Sequence, residues 1–311
     1  MKALSKYPKV SVMVITYNQE KFVSETIESV VSQDYPNLEY VIADDGSTDS
    51  TQEIIKDYQR RFPDIIKAII GNKNVGISKN SNRGLNACTG EFVALQGGDD
   101  VFLPGKIRAQ VDWFQQSTSR VLCGHLIKVC NELSEITGNH ATQKISGIGP
   151  NQWIKNGTLY GATSVMIRAS ALPRYGFDER MKIVSDWKLY IDSIGPNDEY
   201  GFINEYLAIY RRHSNNITNN VALCLADVSK TLEILQEDNS HSDSIIKKGY
   251  AFNYLYGHGL LAAKQGKHKT AFLRYLDALR ANPFLWKTYV RILQNFYIFC
   301  ITKIFKSQSS Q

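Results

Sequence analysis

The chain has 311 residues, 43% of them apolar, with 36 basic and 30 acidic side chains and a formal charge of +6. This length suits one α/β domain of about 200 residues plus an appendage, while the composition excludes a disordered or polytopic chain and no run approaches the ~18 apolar residues of a bilayer span. The charge is uneven: from Asp243 onward 11 Lys/Arg stand against 2 Asp/Glu, whereas the rest carries 25 basic and 28 acidic residues.

Met1 to Lys9 is short and polar and lacks the apolar core of a secretory signal. Val10 to Ile15 is a nearly continuous apolar run, the pattern of a strand buried on both faces. Thr16-Tyr17-Asn18 ends it, and Phe22, Ile27, Val30 and Val31 follow at helical spacing. Leu38 to Ala43 reads as a second strand, and Ser50-Thr51-Gln52-Glu53 as a capping box opening a helix with Ile54, Ile55 and Tyr58. Ile65 to Ile70 is a third strand and Ser78 to Cys88 a third helix. After a Thr89-Gly90 break, Phe92 to Leu95 is a fourth strand. Four alternations of strand and helix predict a parallel sheet wound by right-handed crossovers.

Pro104 suits a first helical position, in a helix to about Gln116 bearing Ile107, Val111 and Phe114 on one face. Val121 to Val129, Thr163 to Ile167 and Phe202 to Tyr210 read as strands. Gly138 to Gly157, polar and Gly-rich, reads as a loop over the acceptor side. Five cysteines (Cys88, Cys123, Cys130, Cys224, Cys300) form no Cys-x-x-Cys pair and have no histidines at zinc spacing, so they read as reduced, mostly buried thiols of a cytoplasmic protein.

From about Val221 the pattern is helical. Residues 252–285 fit a 34-residue tetratricopeptide-type hairpin, with Leu255, Gly259, Ala262, Ala271, Tyr275, Ala278 and Pro283 at its bulky, small and breaker positions. One such unit must bury its face on neighbouring helices or on a partner. The tail, about 287–306, is basic, aromatic and amphipathic. It reads either as a helix lying on an anionic membrane surface or as the last helix of the hairpin unit. Nucleic acid is a poor fit, because the basic residues are spread over helices without interleaved aromatics.

Two acidic turns carry the chemistry, Asp44 to Asp49 and Gly97-Gly98-Asp99-Asp100, each ending an apolar strand. In an open α/β sheet such positions face a ligand rather than a core. Paired carboxylates there repel, and a divalent cation relieves the repulsion.

The chain resembles the family-2 inverting glycosyltransferases over roughly residues 8 to 218. The resemblance rests on ordered elements: Ser11-Val12 through Tyr17-Asn18, Asp44 to Asp49, Asn74-Val75-Gly76, Gly90-Glu91-Phe92, Asp99-Asp100 with Pro104-Gly105-Lys106, Phe177-Asp178-Glu179, Ser185-Asp186-Trp187 and Tyr210 to His213. It implies a GT-A fold, a Rossmann-like, mostly parallel sheet with helices on both faces, over residues 1–220, with residues 221–311 as a small all-helical region. The implied activity is metal-dependent transfer of a sugar from a nucleotide donor, by default a UDP-sugar, to a saccharide or lipid-linked acceptor in cell-surface polysaccharide synthesis. The implied location is the cytoplasm, at the inner face of the membrane, with a protein partner or second copy as a further occupant of the C-terminal helices.

The same resemblance distributes roles. Asp99, Asp100 and His213 would hold Mn²⁺ or Mg²⁺, with Asp100 either a second ligand or a support and His213 either a ligand or, as an imidazolium, a partner of the phosphates, Arg211 and Arg212 being donor candidates beside it. Gly97 stands where the family has the first acid of Asp-x-Asp. Thr16, Tyr17, Asn18, Asp44, Gly76, Lys79, Gly98 and Arg212 would meet the donor, and Asp45 would meet it or only shape the turn. Lys79 replaces a common Arg and lacks its bidentate fork. Asp186 matches the general base, though a carboxylate at a helix start is also what an N-cap looks like. Trp187 either floors a sugar ring or lies in the core, and Asn216-Ile217-Thr218 is a candidate lid.

Two other enzymes of similar topology are disfavoured. No Lys/Arg-bearing phosphate loop follows the first strand, against a nucleotidyltransferase, and no Gly-x-Gly-x-x-Gly does, against a dinucleotide oxidoreductase. The alternative of a different class is a degenerate, non-catalytic scaffold recruiting partners through its C-terminal helices, a reading that Gly97 motivates.

Overall fold

The computed structural model describes residues 6–140 and 142–308, with side chains to residue 298. Strand β1 (Val10–Thr16) is buried along nearly its whole length, as its unbroken apolar sequence requires. It is followed by α1 (Val23–Val31), β2 (Leu38–Asp44), α2 (Thr51–Arg61), β3 (Ile66–Ile70), α3 (Ile77–Leu85) and β4 (Phe92–Gly97). Next come β5 (Val101–Phe102), α4 (Lys106–Gln115), β6 (Arg120–Cys130), β7 (Ile136–Asn139), β8 (Gly147–Ile148), α5 (Asn151–Asn156), β9 (Met166–Arg168), α6 (Ser185–Asp192) and β10 (Glu199–Arg211).

The ten strands form one sheet with the path β3-β2-β1-β4-β9-β6-β10-β5; β7 pairs with β6 and β8 with β10. The first four strands are mutually parallel, as expected. β9 runs antiparallel between β4 and β6, and β10 lies parallel to β6. The carboxyl ends of β1, β2, β4, β6 and β10 therefore share one edge of the sheet. One core, including Val12, Val14, Ile27, Ile42, Ile55, Phe92 and Phe114, fills the space between sheet and helices.

Several local expectations are corrected. Ser50 makes no side-chain cap; instead Asp49 Oδ1 accepts the Thr51 N–H at 3.0 Å and Glu20 accepts the Ser50 N–H at 3.0 Å. An acid from the preceding turn thus displaces the capping box. α4 begins at Lys106 behind left-handed Gly105 (φ 84°), so Pro104 precedes the helix. The stretch 138–157 is not one loop, since it ends β7 and carries β8 and α5. The strand expected over Thr163 to Ile167 begins later, as β9 at Met166–Arg168, behind a 3₁₀ turn at Ala162–Ser164.

The chain divides into two compact units, residues 1–150 with 158–216, and residues 151–157 with 217–311. The second contains α5, α7 (Val221–Glu237), α8 (Asp243–Gly249), a π-helix at Tyr250–Tyr256, α9 (Gly257–Lys264), α10 (His268–Ala281) and α11 (Trp286–Gln308). Within it Trp153 and Ile154 of α5 are fully buried, and the Ile154 carbonyl accepts from Asn253 Nδ2 at 3.0 Å. Gly249 lets α8 approach, because a Cβ there would lie 2.5 Å from the Ile154 oxygen.

Helices α9 and α10 pack as a hairpin around Ala262, Ala271 and Tyr275, turning at Gly266 (φ 72°). The segment before α9 is π-helical rather than a regular first helix, so the repeat pattern is met in part. Cys88, Cys123 and Cys130 are free thiols, and burial pushes those of Cys88 and Cys123 up to about 12. Cys300 lies outside the residues whose side chains are described.

Candidate active site

Register brings the acidic turns together: Thr16 stands opposite Asp44, and Ile15 opposite Gly97. Asp44 is fully buried, and its carboxylate accepts from Thr16 Oγ1 (3.1 Å), the Gly46 and Ser47 N–H groups (3.1 and 2.9 Å), Gln52 Nε2 (2.9 Å) and the Ser47 hydroxyl. Asp45 accepts the Val75 and Gly76 N–H groups at 2.8 and 2.9 Å. It thereby fixes the turn at Gly76 (φ 92°), which opens α3. Asn18 adopts a left-handed conformation (φ 53°) and ties the turn after β1 to the Asp44–Asp49 turn, its Oδ1 accepting the Thr48 N–H at 2.8 Å. Tyr17 stays 43% exposed beside them, and Lys79 is exposed.

The second turn is held by Arg211 at the end of β10, a residue of the Tyr210–His213 element that the sequence marked as facing the donor and that here braces the acidic turn instead. Its backbone N–H donates to Asp100 Oδ1 (3.1 Å) and its Nε to the Asp99 carbonyl (3.0 Å). Nη1 donates to the Asn131 carbonyl (3.2 Å) and Ser134 Oγ (2.9 Å), and Nη2 to Glu25 (2.6 Å). The buried guanidinium also lies over the Phe22 ring, 4.9 Å from its centroid. Gln96 supports the turn from below, accepting from Tyr40 OH at 2.8 Å and donating to the Asp100 carbonyl at 3.2 Å.

His213 stacks on Phe22 with centroids 5.2 Å apart and sets Nε2 2.7 Å from Asp99 Oδ2. Asn216 Nδ2 donates to the same oxygen at 3.3 Å, while its Oδ1 accepts the His213 N–H at 2.6 Å. The first residue of the candidate lid is thus bound to the acidic turn. The Arg212 side chain is exposed, and its backbone N–H donates to Cys130. Burial, and then the neighbouring Asp99 charge, push the Asp100 carboxyl well above its ordinary range. Gly98 packs tightly, since a Cβ would lie 2.9 Å from both the Ile15 oxygen and Thr16 Cγ2. At Gly97 a Cβ would meet Asp100 Oδ2 at 2.8 Å and Asp99 Oδ1 at 3.1 Å.

Among the described residues no three His, Cys, Asp or Glu side chains form a ready-made metal cage. Asp99 and His213 supply one carboxylate and one imidazole at the sheet edge. Such a partial set would suit a divalent cation that draws further oxygen ligands from outside the chain.

Asp186 sits in the first turn of α6, partly exposed, with Oδ1 accepting the Trp187 N–H at 2.8 Å. Burial raises its carboxyl to about 6, outweighing the two backbone N–H groups that pull it down. Trp187 is buried in the core. The segment leading to α6 is clamped to α3: Asn82 bonds both backbone groups of Phe177, at 2.9 and 2.8 Å, and Ser78 Oγ donates to the Met181 carbonyl.

Among the described residues, no helix is long and apolar enough to cross a membrane. An uncharacterized protein of Mycobacterium tuberculosis is 30% identical over 219 residues, 67% of this chain and 60% of that protein. The putative glycosyltransferase EpsE of Bacillus subtilis is 32% identical over 187 residues, 59% of this chain and 66% of EpsE. The chain therefore spans about 60–66% of the length of these relatives. The GalNAc(5)-diNAcBac-PP-undecaprenol beta-1,3-glucosyltransferase of Campylobacter jejuni is 29% identical over 147 residues, 47% of this chain and 48% of that enzyme.

Two solved structures share the fold. Staphylococcus aureus TarS 1-349 in complex with UDP-GlcNAc has TM-score 0.63 and 19% identity, covering 93% of this chain and 89% of that 1-349 fragment. The mannosyltransferase PcManGT from Pyrobaculum calidifontis in complex with GDP-Man and Mn²⁺ has TM-score 0.62 and 15% identity, covering 97% and 88%. The Glycosyl transferase family 2 profile matches residues 11–176, more than half of the chain, so the chain belongs to that family and has the GT-A architecture.

Proposed function

We propose that the chain is an inverting glycosyltransferase that moves one sugar from a nucleotide-sugar donor to a saccharide or lipid-linked saccharide acceptor. The observation that carries this reading is the Asp99–His213 pair, held by Arg211 at the sheet edge beside the Asp44–Asp49 turn. Thr16, Tyr17, Asn18 and the Asp44–Gly76 turns form the wall for the nucleoside, with Asp45 shaping the loop; Gly98, Lys79 and Arg212 stand on the diphosphate side. UDP is the default nucleotide of the resemblance; TarS, of the same fold, binds UDP-GlcNAc and PcManGT binds GDP-Man, so both nucleotides enter the test. The acceptor class draws on the undecaprenol-linked substrate named for the Campylobacter relative.

Asp99 and His213 would hold a divalent cation, with Asp100 supporting the turn. Mn²⁺ suits a mixed carboxylate and imidazole set better than Mg²⁺. When bound, the cation supplies charge neutralisation for the departing diphosphate. The residues of the chain do the rest. The acceptor hydroxyl attacks the anomeric carbon from the face opposite the leaving diphosphate, its proton passes to the Asp186 carboxylate, and the anomeric configuration inverts. A carboxyl with its pKa near 6 is ionised at neutral pH, yet a better base than an ordinary aspartate.

The test is release of nucleoside diphosphate by the purified chain from UDP-GlcNAc, UDP-glucose and GDP-mannose, each with and without Mn²⁺. Turnover with one donor that needs Mn²⁺ and is lost in Asp99→Asn supports the reading. The absence of any nucleotide-dependent thermal shift would instead favour the scaffold reading that Gly97 motivates.

A further inference from the structure

Helix α11 has three distinct faces over the residues whose side chains are described. Thr288, Ile292 and Asn295 are turned inward: Ile292 packs on the Ala262–Ala271–Tyr275 cluster, and Asn295 exchanges two hydrogen bonds with His268 (2.8 and 2.6 Å). This face closes the helical hairpin. A second arc carries Trp286, Tyr289, Val290, Leu293, Phe296 and Tyr297, between 42% and 71% exposed. At 3.6 residues per turn these six fall within about a third of the circumference. A third, flanking arc presents Lys287 and Arg291.

A final core helix has no need of the second face, and a soluble surface rarely carries six contiguous large apolar side chains. Its composition narrows the occupant. Four of the six are Trp, Tyr or Phe, the residues that settle at the boundary between headgroups and acyl chains. After Asp277 the sequence has no acid, while Arg280, Lys287, Arg291, Lys303 and Lys306 follow. An apolar aromatic stripe bordered by cations complements a surface that is apolar beneath and anionic at its rim. A second copy of this helix would bring its uncompensated cations against one another.

We propose that α11 is a peripheral docking element for anionic lipid bilayers, lying in the interfacial plane on its Trp286–Tyr297 face. Anchoring by one interfacial face is reversible, and the flanking Lys287 and Arg291 make it salt-sensitive. The inference stands apart from the catalytic reading, because none of these residues belongs to the candidate active site.

The experiment is flotation of the full chain with phosphatidylcholine vesicles, with and without phosphatidylglycerol. The comparison is with Leu293→Glu/Phe296→Glu and Lys287→Glu/Arg291→Glu, with circular dichroism melting as the folding control and donor turnover measured on the same samples. The expected result is flotation with anionic vesicles only, weakened by high salt and reduced about tenfold or more in both variants at unchanged melting and turnover. Failure of the wild type to float, or variants floating as it does, overturns the proposal. So does a wild-type dimer by light scattering that Leu293→Glu/Phe296→Glu disperses without any change in vesicle binding, which assigns the face to a second copy.

Discussion

At the scale of the residue, Asp186 gives up stability to hold its chemistry. Its carboxyl is raised by burial from 3.8 to about 6, so the fold favours the protonated form. The stabilisation by that form is complete below the unfolded value and is lost as pH rises through about 6; at pH 8 the ionised group is a net cost on the order of 3 kcal/mol. Asp186→Asn is therefore expected to melt a few degrees higher at pH 8, while lowering kcat about 10²–10⁴-fold with little change in donor affinity. A wild-type rate that climbs through pH 6 and a variant with no such limb are the kinetic signature. Gly97 gives the opposite lesson. Supplying the first acid of the Asp-x-Asp pattern that the resemblance implies, Gly97→Asp, would set a Cβ 2.8 Å from Asp100 Oδ2 and a third carboxylate beside two others. It is expected to cost about 1–3 kcal/mol of stability and to raise the donor KM; a gain in affinity would show that the turn relaxes freely.

At the scale of the element, the hairpin of α9 and α10 depends on a missing side chain. A Cβ on Gly259 would lie 2.3 Å from Tyr275 Cε1, so Gly259→Val should open the hairpin and abolish amide-exchange protection over residues 257–281. Protection persisting in that variant would mean the helices slide to accommodate it. The elements that sequence patterning identified well are those whose burial is symmetric: β1, β2 and β4 are covered on both faces and read as apolar runs. The acidic turns were legible because they end such runs. The bracing role of Arg211 was not, since its partners Glu25, Asp99 and Asn131 are remote in sequence and only the sheet order brings them to β10. α5 was hidden for another reason: six residues reading Asn-Gln-Trp-Ile-Lys-Asn carry too little periodicity to separate a helix from a polar loop.

At the scale of the whole molecule, the partition of the chain is not a single cut. Residues 151–157 belong with the C-terminal helices although residues 158–216 return to the sheet unit. A truncation after Asn216 thus removes the helices that cover Trp153 and Ile154, uncovering two fully buried side chains worth about 1.5–3 kcal/mol of burial each. The truncated chain is expected to aggregate, and Trp153→Gln/Ile154→Gln in that background to recover soluble protein. Equal solubility with and without the double substitution would show that α5 finds other cover.

The same excursion has a consequence in time. The chain leaves the ribosome from its N-terminus, at about 5–20 residues per second. Trp153 and Ile154 therefore emerge well before α8 and the π-helix, which pack against them. The intervening residues, roughly ninety, take on the order of 5–20 seconds to synthesise. For that interval the nascent chain can complete its sheet while one short apolar helix waits without its partners. A holdase that recognises brief aromatic and aliphatic stretches would find its target there, and pausing translation near residue 220 should lengthen the encounter.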